Sequence, residues 1–475
     1  MSSSTEIDQE LPPNPPPPPE GAIARFFKFA ELGTNLRTEI VAGITTFVTM
    51  AYILVVNPAI LSNAIFLQES GDLFGELVIA TALSAVIATV IMGIFANYPF
   101  ALAPGMGLNA FFAFSVVIGL GIDWRLALGA VLVEGVIFIL MTFFNVRGLI
   151  ITAIPECLKR ATAVGIGLFI AYIGLSGNPE APDYGAGIIV AYEPTITGLG
   201  DLGNPITLLA IAGLLITSAF VARRIKGALL WGILATAVLG WILGVSPWPE
   251  GIVGAPQFPV DLIGQAFVGL GQLSATNFAN FIAITFVFLF VDMFDTVGTL
   301  TGIGIQADMI NERGELPKAN QAFMADAIGT TAGAILGTST VTSYIESAAG
   351  VSEGGRSGFT AIVASICFFL SIFFIPLLSA IPAFATAATL VIVGVLMAGN
   401  VLGINWKDPA ESIPCFLTIL LMPLTFSIAE GLAAGFITYP LIKTFQGKFH
   451  EVGIGIWILA AIFVFRFVLL GLGIA

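Results

Sequence analysis

Charge is what this chain has least of: Asp, Glu, Lys and Arg make up 10% of its 475 residues, against 57% hydrophobic. So few charges exclude an ordinary solvated globular surface and fit a chain embedded in a membrane. Histidine is nearly absent. The single one, His450, lies in a polar connection and reads as solvent-exposed rather than as a proton relay. A zinc site would need ligands that the sequence does not offer. The three cysteines, Cys157, Cys367 and Cys415, are scattered through apolar sequence and suggest neither a disulfide framework nor a metal cluster. No basic groove points to nucleic acid, and no cofactor or metal is expected.

What is present is a series of apolar runs reaching the roughly 20 residues that cross a hydrocarbon layer. Residues 1–24 are rich in proline, contain no apolar core, and read as a disordered cytoplasmic tail ahead of an interfacial segment, "GAIARFFKFAELG". Spans are expected near 37–62, 75–96, 106–119, 124–144, 159–176, 205–222 and 227–245. A second set is expected near 276–304, 321–337, 343–352, 359–378, 384–400, 412–425 and 427–443. The organisation is thus a first repeat over 25–245, a connecting loop over 246–275, and a second repeat over 276–443. Residues 444–475 hold a connection and one more apolar segment, 454–472, outside the two sets of seven.

Placing the N-terminus in the cytoplasm collects Arg25, Lys28, Arg37, Arg147, Lys159, Arg160, Arg223, Arg224, Lys226, Arg313 and Lys318 on that side. Glu69, Asp72, Glu180, Asp183, Glu193, Glu250 and Asp261 fall on the other, the bias of a multi-pass protein of a cell membrane. Because seven is odd, the second set is inverted relative to the first. The third and tenth elements match in position and are both too short or too polar for simple spans, which predicts interrupted strand-helix elements around a mid-membrane site. Kinked packing helices, or loops outside the bilayer, are the alternative.

The acids in this oily setting are the candidates for function. In "FVDMFDTVGTL", Asp292 and Asp295 are three apart and can share one side of a helix. A buried carboxylate must find donors or keep a proton, and a ligand rich in N–H groups can supply the donors. Glu346, in "TSYIESAAGVSEGG", sits among hydroxyls at a helix start; Asn109, in "APGMGLNAFFAF", offers both donors and an acceptor. Polar contacts between helices would account for the same residues. Glu353 and Arg356 read as loop or edge residues whose spacing permits an ion pair.

Taken together, "RTEIVAGITTFVTMAYILVVNPAIL", "ANYPFALAPGMGLNAFFAF", "FVDMFDTVGTLTGIG", "TSYIESAAGVSEGGRSGFTAIV" and "LTFSIAEGLAAGF" resemble the nucleobase:cation symporter-2 family, in its adenine/guanine/hypoxanthine permease branch. The resemblance covers nearly the whole chain after the tail. It implies an all-α integral membrane fold of two inverted repeats, seven plus seven segments. Core and gate domains are each assembled from both repeats. It further implies proton symport of purine nucleobases and no enzymatic activity. Carried over residue by residue, the substrate-binding set is Asp295, Glu346 and Asn109, supported by Thr296, Thr299, Ser343 and Ser347. Proton coupling falls to Asp292, Asp295 or Glu346. Ser347 stands where the related xanthine/uric-acid branch has asparagine, which favours the purine branch. Ser357 replaces that branch's usual threonine. Lipid is the implied surrounding, and a homo-oligomer is compatible with the family. A xanthine/uracil transporter, an anion transporter, a passive channel and a membrane receptor or scaffold are the competing readings.

Overall fold

The computed structural model describes residues 21–144, 154–177, 185–256, 258–274, 276–311 and 316–471. Residues 1–20 of the tail expected over 1–24, and Arg147, Glu180, Asp183 and Arg313 of the charge map, lie outside the described residues; residues 22–24 of that tail are helical, because the apolar interfacial segment already begins there. Among the described residues, eight helices are long and apolar enough to cross a membrane, and several shorter apolar helices accompany them. The chain is a mostly helical, multi-pass membrane protein.

The interfacial segment forms two short helices, α1 (Ala22–Phe26) and α2 (Phe29–Leu32). The first span then runs as α3 (Leu36–Met50) and α4 (Ile53–Leu61), divided by a turn at Ala51 and Tyr52 where the sequence predicts one unbroken run. Next come α5 (Phe74–Ile91), β1 (Leu102–Pro104), α6 (Met106–Ala110), α7 (Trp124–Phe143) and α8 (Glu156–Leu175). α5 and α6 continue into wider π-helical turns, Met92–Ala96 and Phe111–Gly119. A hairpin of β2 (Ile189–Tyr192) and β3 (Ile196–Leu199) precedes α9 (Pro205–Ala222) and α10 (Ala228–Ile242). The connecting stretch contains a helix, α11 (Gln265–Gly271), packed on α7. Neither the hairpin nor α11 is expected from the sequence, because both are too short for their periodicity to stand out.

The second half repeats the plan as α12 (Phe278–Gln306), α13 (Ala319–Leu336), β4 (Val341–Ser343) and α14 (Ser347–Ser352). It continues as α15 (Gly358–Ser371), α16 (Ile375–Ser379), α17 (Ala383–Ala398), α18 (Pro409–Leu424) and α19 (Ile428–Phe445). Side-chain oxygens cap several of these helices where the backbone leaves them: Asn35 accepts from Thr38 N, Asn204 from Ile206 N ahead of Pro205, and Asp408 from Ala410 N ahead of Pro409.

The segment left over from the count of seven plus seven is a further helix, α20 (Ile454–Gly471), beside α19. Ion pairs at both ends fix it antiparallel: Lys443 to Glu451 at 2.8 Å, and Arg466 to Glu430 at 2.8 Å. Phe463 stacks on Phe436 and meets Phe286 edge-on.

The helices pack in two groups. The first contains α3 to α7 and α11 to α15; the second contains α8 to α10 and α17 to α20. Buried Glu39 ties the first group together. Its carboxylate accepts from Thr34 Oγ1 (2.8 Å), Ser357 Oγ (2.7 Å), Thr360 Oγ1 (2.6 Å) and the backbone N–H groups of Arg356 and Thr360, so α3 caps the start of α15. Glu353 does not pair with Arg356. It pairs with Lys226 of the second group, while Arg356 donates to the carbonyls of Val351 and Gly355.

Close approach of α5 and α15 depends on glycine. A Cβ on Gly358 would stand 1.9 Å from the Gly93 carbonyl oxygen, whereas one on Gly271 would meet nothing within 4 Å. Gly358→Ala is therefore expected to cost about 1–3 kcal/mol of stability through overpacking, with Gly271→Ala near neutral. Thermal unfolding of the purified variants in detergent checks the contrast.

Candidate substrate site

Backbone interrupted at mid-membrane cannot be left facing lipid, because each unsatisfied group costs several kcal/mol. Here the two interruptions satisfy each other. β1 and β4 pair antiparallel in the register Leu102↔Ser343, Ala103↔Thr342 and Pro104↔Val341. Gly105 N donates to Thr340 O at 2.9 Å, and Tyr344 N to Ala101 O at 3.1 Å, extending the ladder at both ends. The outer edges are closed by one threonine each. Thr89 Oγ1, from α5, donates to Leu102 O and accepts from Leu102 N; Thr330 Oγ1, from α13, does the same for Val341. The two-fold that exchanges Leu102 with Val341 also exchanges Thr89 of α5 with Thr330 of α13, as an inverted repeat requires.

α14 starts from one end of this ladder, and Glu346 stands at its N-cap position. Tyr52, from the turn between α3 and α4, donates its hydroxyl to Glu346 Oε1 at 2.6 Å. Asp295, on α12, accepts from Thr342 Oγ1 at 3.4 Å. Both carboxyl groups are half-buried and lie within electrostatic reach of each other. The α12 stretch from Asp295 through Gly298 and Thr301 is open on the same side as Ile345, which is 49% exposed. Phe294, beside Asp295, meets Lys159 at the start of α8, 5.6 Å from the ring centroid. These exposed positions beside Asp295 and Glu346, where Lys159 of the second group comes within reach of Phe294, mark a candidate cleft.

The remaining sequence candidates sit differently. Asn109 is fully buried, its Oδ1 accepting from Ser339. Thr296 is buried and donates to Asp326 Oδ2 at 2.9 Å, also meeting Thr342. Ser347 is buried and accepts from Ala101 N at 3.0 Å. These three brace the ladder and its surroundings from behind the cleft. Ser343 is buried and its hydroxyl has no partner among the described residues; Thr299 is half-buried on α12. Asp292 is fully buried and faces away from the cleft, toward α7 and α13. A separate cavity of about 740 Å³ lies toward the hairpin, lined by Asn63, Tyr172, Ser176, Thr386 and Phe426 among others, and reaches neither Asp295 nor Glu346.

Sequence reasoning missed Tyr52, Tyr344, Glu134 and Asp326. Glu134, in "VLVEGVIF", and Asp326, in "FMADAIG", carry the same signal that singles out Asp292: a lone acid in an apolar run. The tyrosines carry none, since their role comes from the turn at Ala51 and from β4.

With this geometry in hand, comparison with known proteins is decisive for the family. A model described as "Permease family" (Xan_ur_permease) matches residues 37–434. The chain belongs to the nucleobase:cation symporter-2 permease family. A permease of Methanocaldococcus jannaschii is 52% identical over 94% of this chain and 98% of its own length. The guanine/hypoxanthine permease PbuG of Bacillus subtilis is 44% identical over 94% and 99%, and the adenine permease AdeP of Escherichia coli 40% over 94% and 96%. The transmembrane domain of a cyanobacterium bicarbonate transporter, BicA, superposes with a TM-score of 0.59 at 16% identity, covering 84% of this chain and 97% of that one, a likeness of fold. The permease is a transporter rather than an enzyme.

If the cleft is wet, its walls react with a water-borne thiol reagent. In a background of Cys157→Ala, Cys367→Ala and Cys415→Ala, Gly298→Cys and Ile345→Cys are expected to label with a charged maleimide. Buried Ser343→Cys is expected to label about tenfold more slowly or not at all. Mass spectrometry of the intact variants reads the difference.

Proposed function

We propose that this permease imports purine nucleobases, adenine, guanine or hypoxanthine, by proton symport, and that Asp295 and Glu346 hold the base. The observation that carries the reading is the placement of two half-buried carboxyl groups beside the strand ladder, within a chain related to permeases named for those bases. Purines present N–H groups at one edge and ring nitrogens or a carbonyl at another. A carboxylate accepts from the first, and a protonated carboxyl donates to the second. Two adjacent carboxylates repel, so proton entry and base binding support each other. The Tyr52 hydroxyl holds Glu346 in place and competes with the base for one of its oxygens. Asn109, Thr296 and Ser347 keep the ladder rigid, while Ser343 and Thr299 supply hydroxyls near the cleft.

In this cycle the first helix group acts as the core and the second as the gate. Base and proton neutralise the site, the groups move relative to each other, and the cleft opens to the other side. The basic residues collected on one side support a cytoplasmic N-terminus, and a bacterial inner membrane fits the bacterial relatives. Accumulation against a gradient separates this reading from a passive channel.

In proteoliposomes, hypoxanthine uptake is expected to rise with an inward proton gradient and to carry protons with it, read by an entrapped pH dye. Equal uptake with and without the gradient, and no proton signal, overturns symport. Asp295→Ala and Glu346→Ala are each expected to weaken hypoxanthine binding by about 1.5–3 kcal/mol, roughly 10- to 150-fold. Calorimetry on folded variants, with adenine, guanine, xanthine and uracil as competitors, checks the site and its selectivity.

A further inference from the structure

Behind the cleft lies a second group of acids that base recognition does not use. Glu134 on α7, Asp292 on α12 and Asp326 on α13 are each fully buried. Their donors are few. Thr340 Oγ1 donates to Glu134 Oε2 at 2.9 Å and Thr296 Oγ1 to Asp326 Oδ2 at 2.9 Å. Among the described residues, both oxygens of Asp292, Oε1 of Glu134 and Oδ1 of Asp326 have no hydrogen-bond donor. A polar atom buried this way is costly, and a buried unpaired charge costs several kcal/mol.

The arrangement itself says what is missing. The Glu134 and Asp292 carboxyl groups adjoin, and Asp326 lies within electrostatic range of both. Two carboxylates cannot bond, because neither has a hydrogen; one added proton makes one of them a donor and the other its acceptor. The charged groups around Asp292 are all acidic: Glu134 from α7, Asp326 from α13 and Asp295 from its own helix. Among the described residues, no lysine, arginine or histidine forms an ion pair with any of the three. Nor, among the described residues, does any set of three acids, histidines or cysteines have the arrangement of a metal site.

We propose that Glu134, Asp292 and Asp326 form a proton-binding site distinct from the acids that hold the base, and that loading it is what couples proton entry to transport. The inference rests on the symport reading above. Binding takes one proton from water, leaves one carboxyl neutral and hydrogen-bonded to its neighbour, and lowers the buried negative charge by one. Hydroxyls connect this site to the cleft: Thr296 meets Thr342 at 2.9 Å, and Thr342 donates to Asp295 at 3.4 Å. Thr340 stands just before β4 and Thr342 at its middle, so the charge state of the acids bears directly on the position of β4.

Asp292→Asn, Glu134→Gln and Asp326→Asn test it. In each, the pH-gradient-driven accumulation of hypoxanthine is expected to fall at least tenfold more than counterflow exchange, which needs no net proton movement. The proton uptake on adding hypoxanthine to purified protein should fall with it. Proton uptake at wild-type level in all three folded variants overturns the proposal while leaving symport intact. No proton movement in the wild type overturns both. Uptake that follows sodium rather than pH overturns it in favour of a metal ion. If the variants do not fold, infrared spectra of an Asp295→Asn, Glu346→Gln protein decide: a protonated-carboxyl band at neutral pH supports the site, and its absence overturns it.

Discussion

The ladder between β1 and β4 is the constraint on which the rest depends. Hydrocarbon offers no hydrogen bonds, so a chain can open its backbone at mid-membrane only where another opening answers it. Three paired residues on each side, two flanking backbone bonds and one threonine at each outer edge complete the set. With the backbone satisfied, α6 and α14 can begin inside the protein. Glu346 is held at the start of one of them, Asp295 reaches the other wall through Thr342, and polar chemistry becomes possible far from either membrane surface.

The inverted plan follows from the same ladder. An antiparallel pair whose register exchanges Leu102 with Val341 is what two oppositely inserted copies of one motif produce. The sequence displays the consequence of this plan without its cause. Matching short, polar elements at the third and tenth positions are visible because Pro, Gly and hydroxyl residues interrupt the apolar runs. Thr89 and Thr330, which close the strand edges, look like any threonine in an apolar helix. Their partners are 13 and 11 residues away, a separation with no periodic signature.

The acids divide along similar lines. Asp295 and Glu346 are legible because each lies in a stretch crowded with Gly and hydroxyls. Glu134 and Asp326 were equally visible as isolated acids, but only packing of α7 and α13 around α12 brings them to Asp292. α20 escaped the count for a simpler reason: a hydropathy plot reports that a segment is apolar, whereas its place beside α19 depends on Arg466 and Glu430 meeting at 2.8 Å, a long-range pairing.

The strengths of the contacts within and between the two helix groups bear on movement. Within the first group, Glu39 gathers buried hydroxyls and backbone donors from α15, and glycines bring α5 and α15 into backbone contact. Such contacts do not break piecemeal, because each lost donor would be left buried and unpaired. Between the groups, the described contacts include the ion pair of Lys226 with Glu353, in which the lysine side chain is 56% exposed. A pair that wet contributes roughly 0–1 kcal/mol and exchanges readily for water. At the other end, Phe426 packs against Phe169 and Tyr172, and Ser115 donates to the Phe426 carbonyl at 2.7 Å. Phe426 belongs to the second group and Ser115 to the first, so this single hydrogen bond is again a small part of the total. The buried carboxylate and close backbone contacts thus lie within the first group, while the two groups meet through a wet ion pair, one hydroxyl and apolar rings such as Phe290 on Phe436 and Phe286 on Phe463, contacts that strand no charge when they shift.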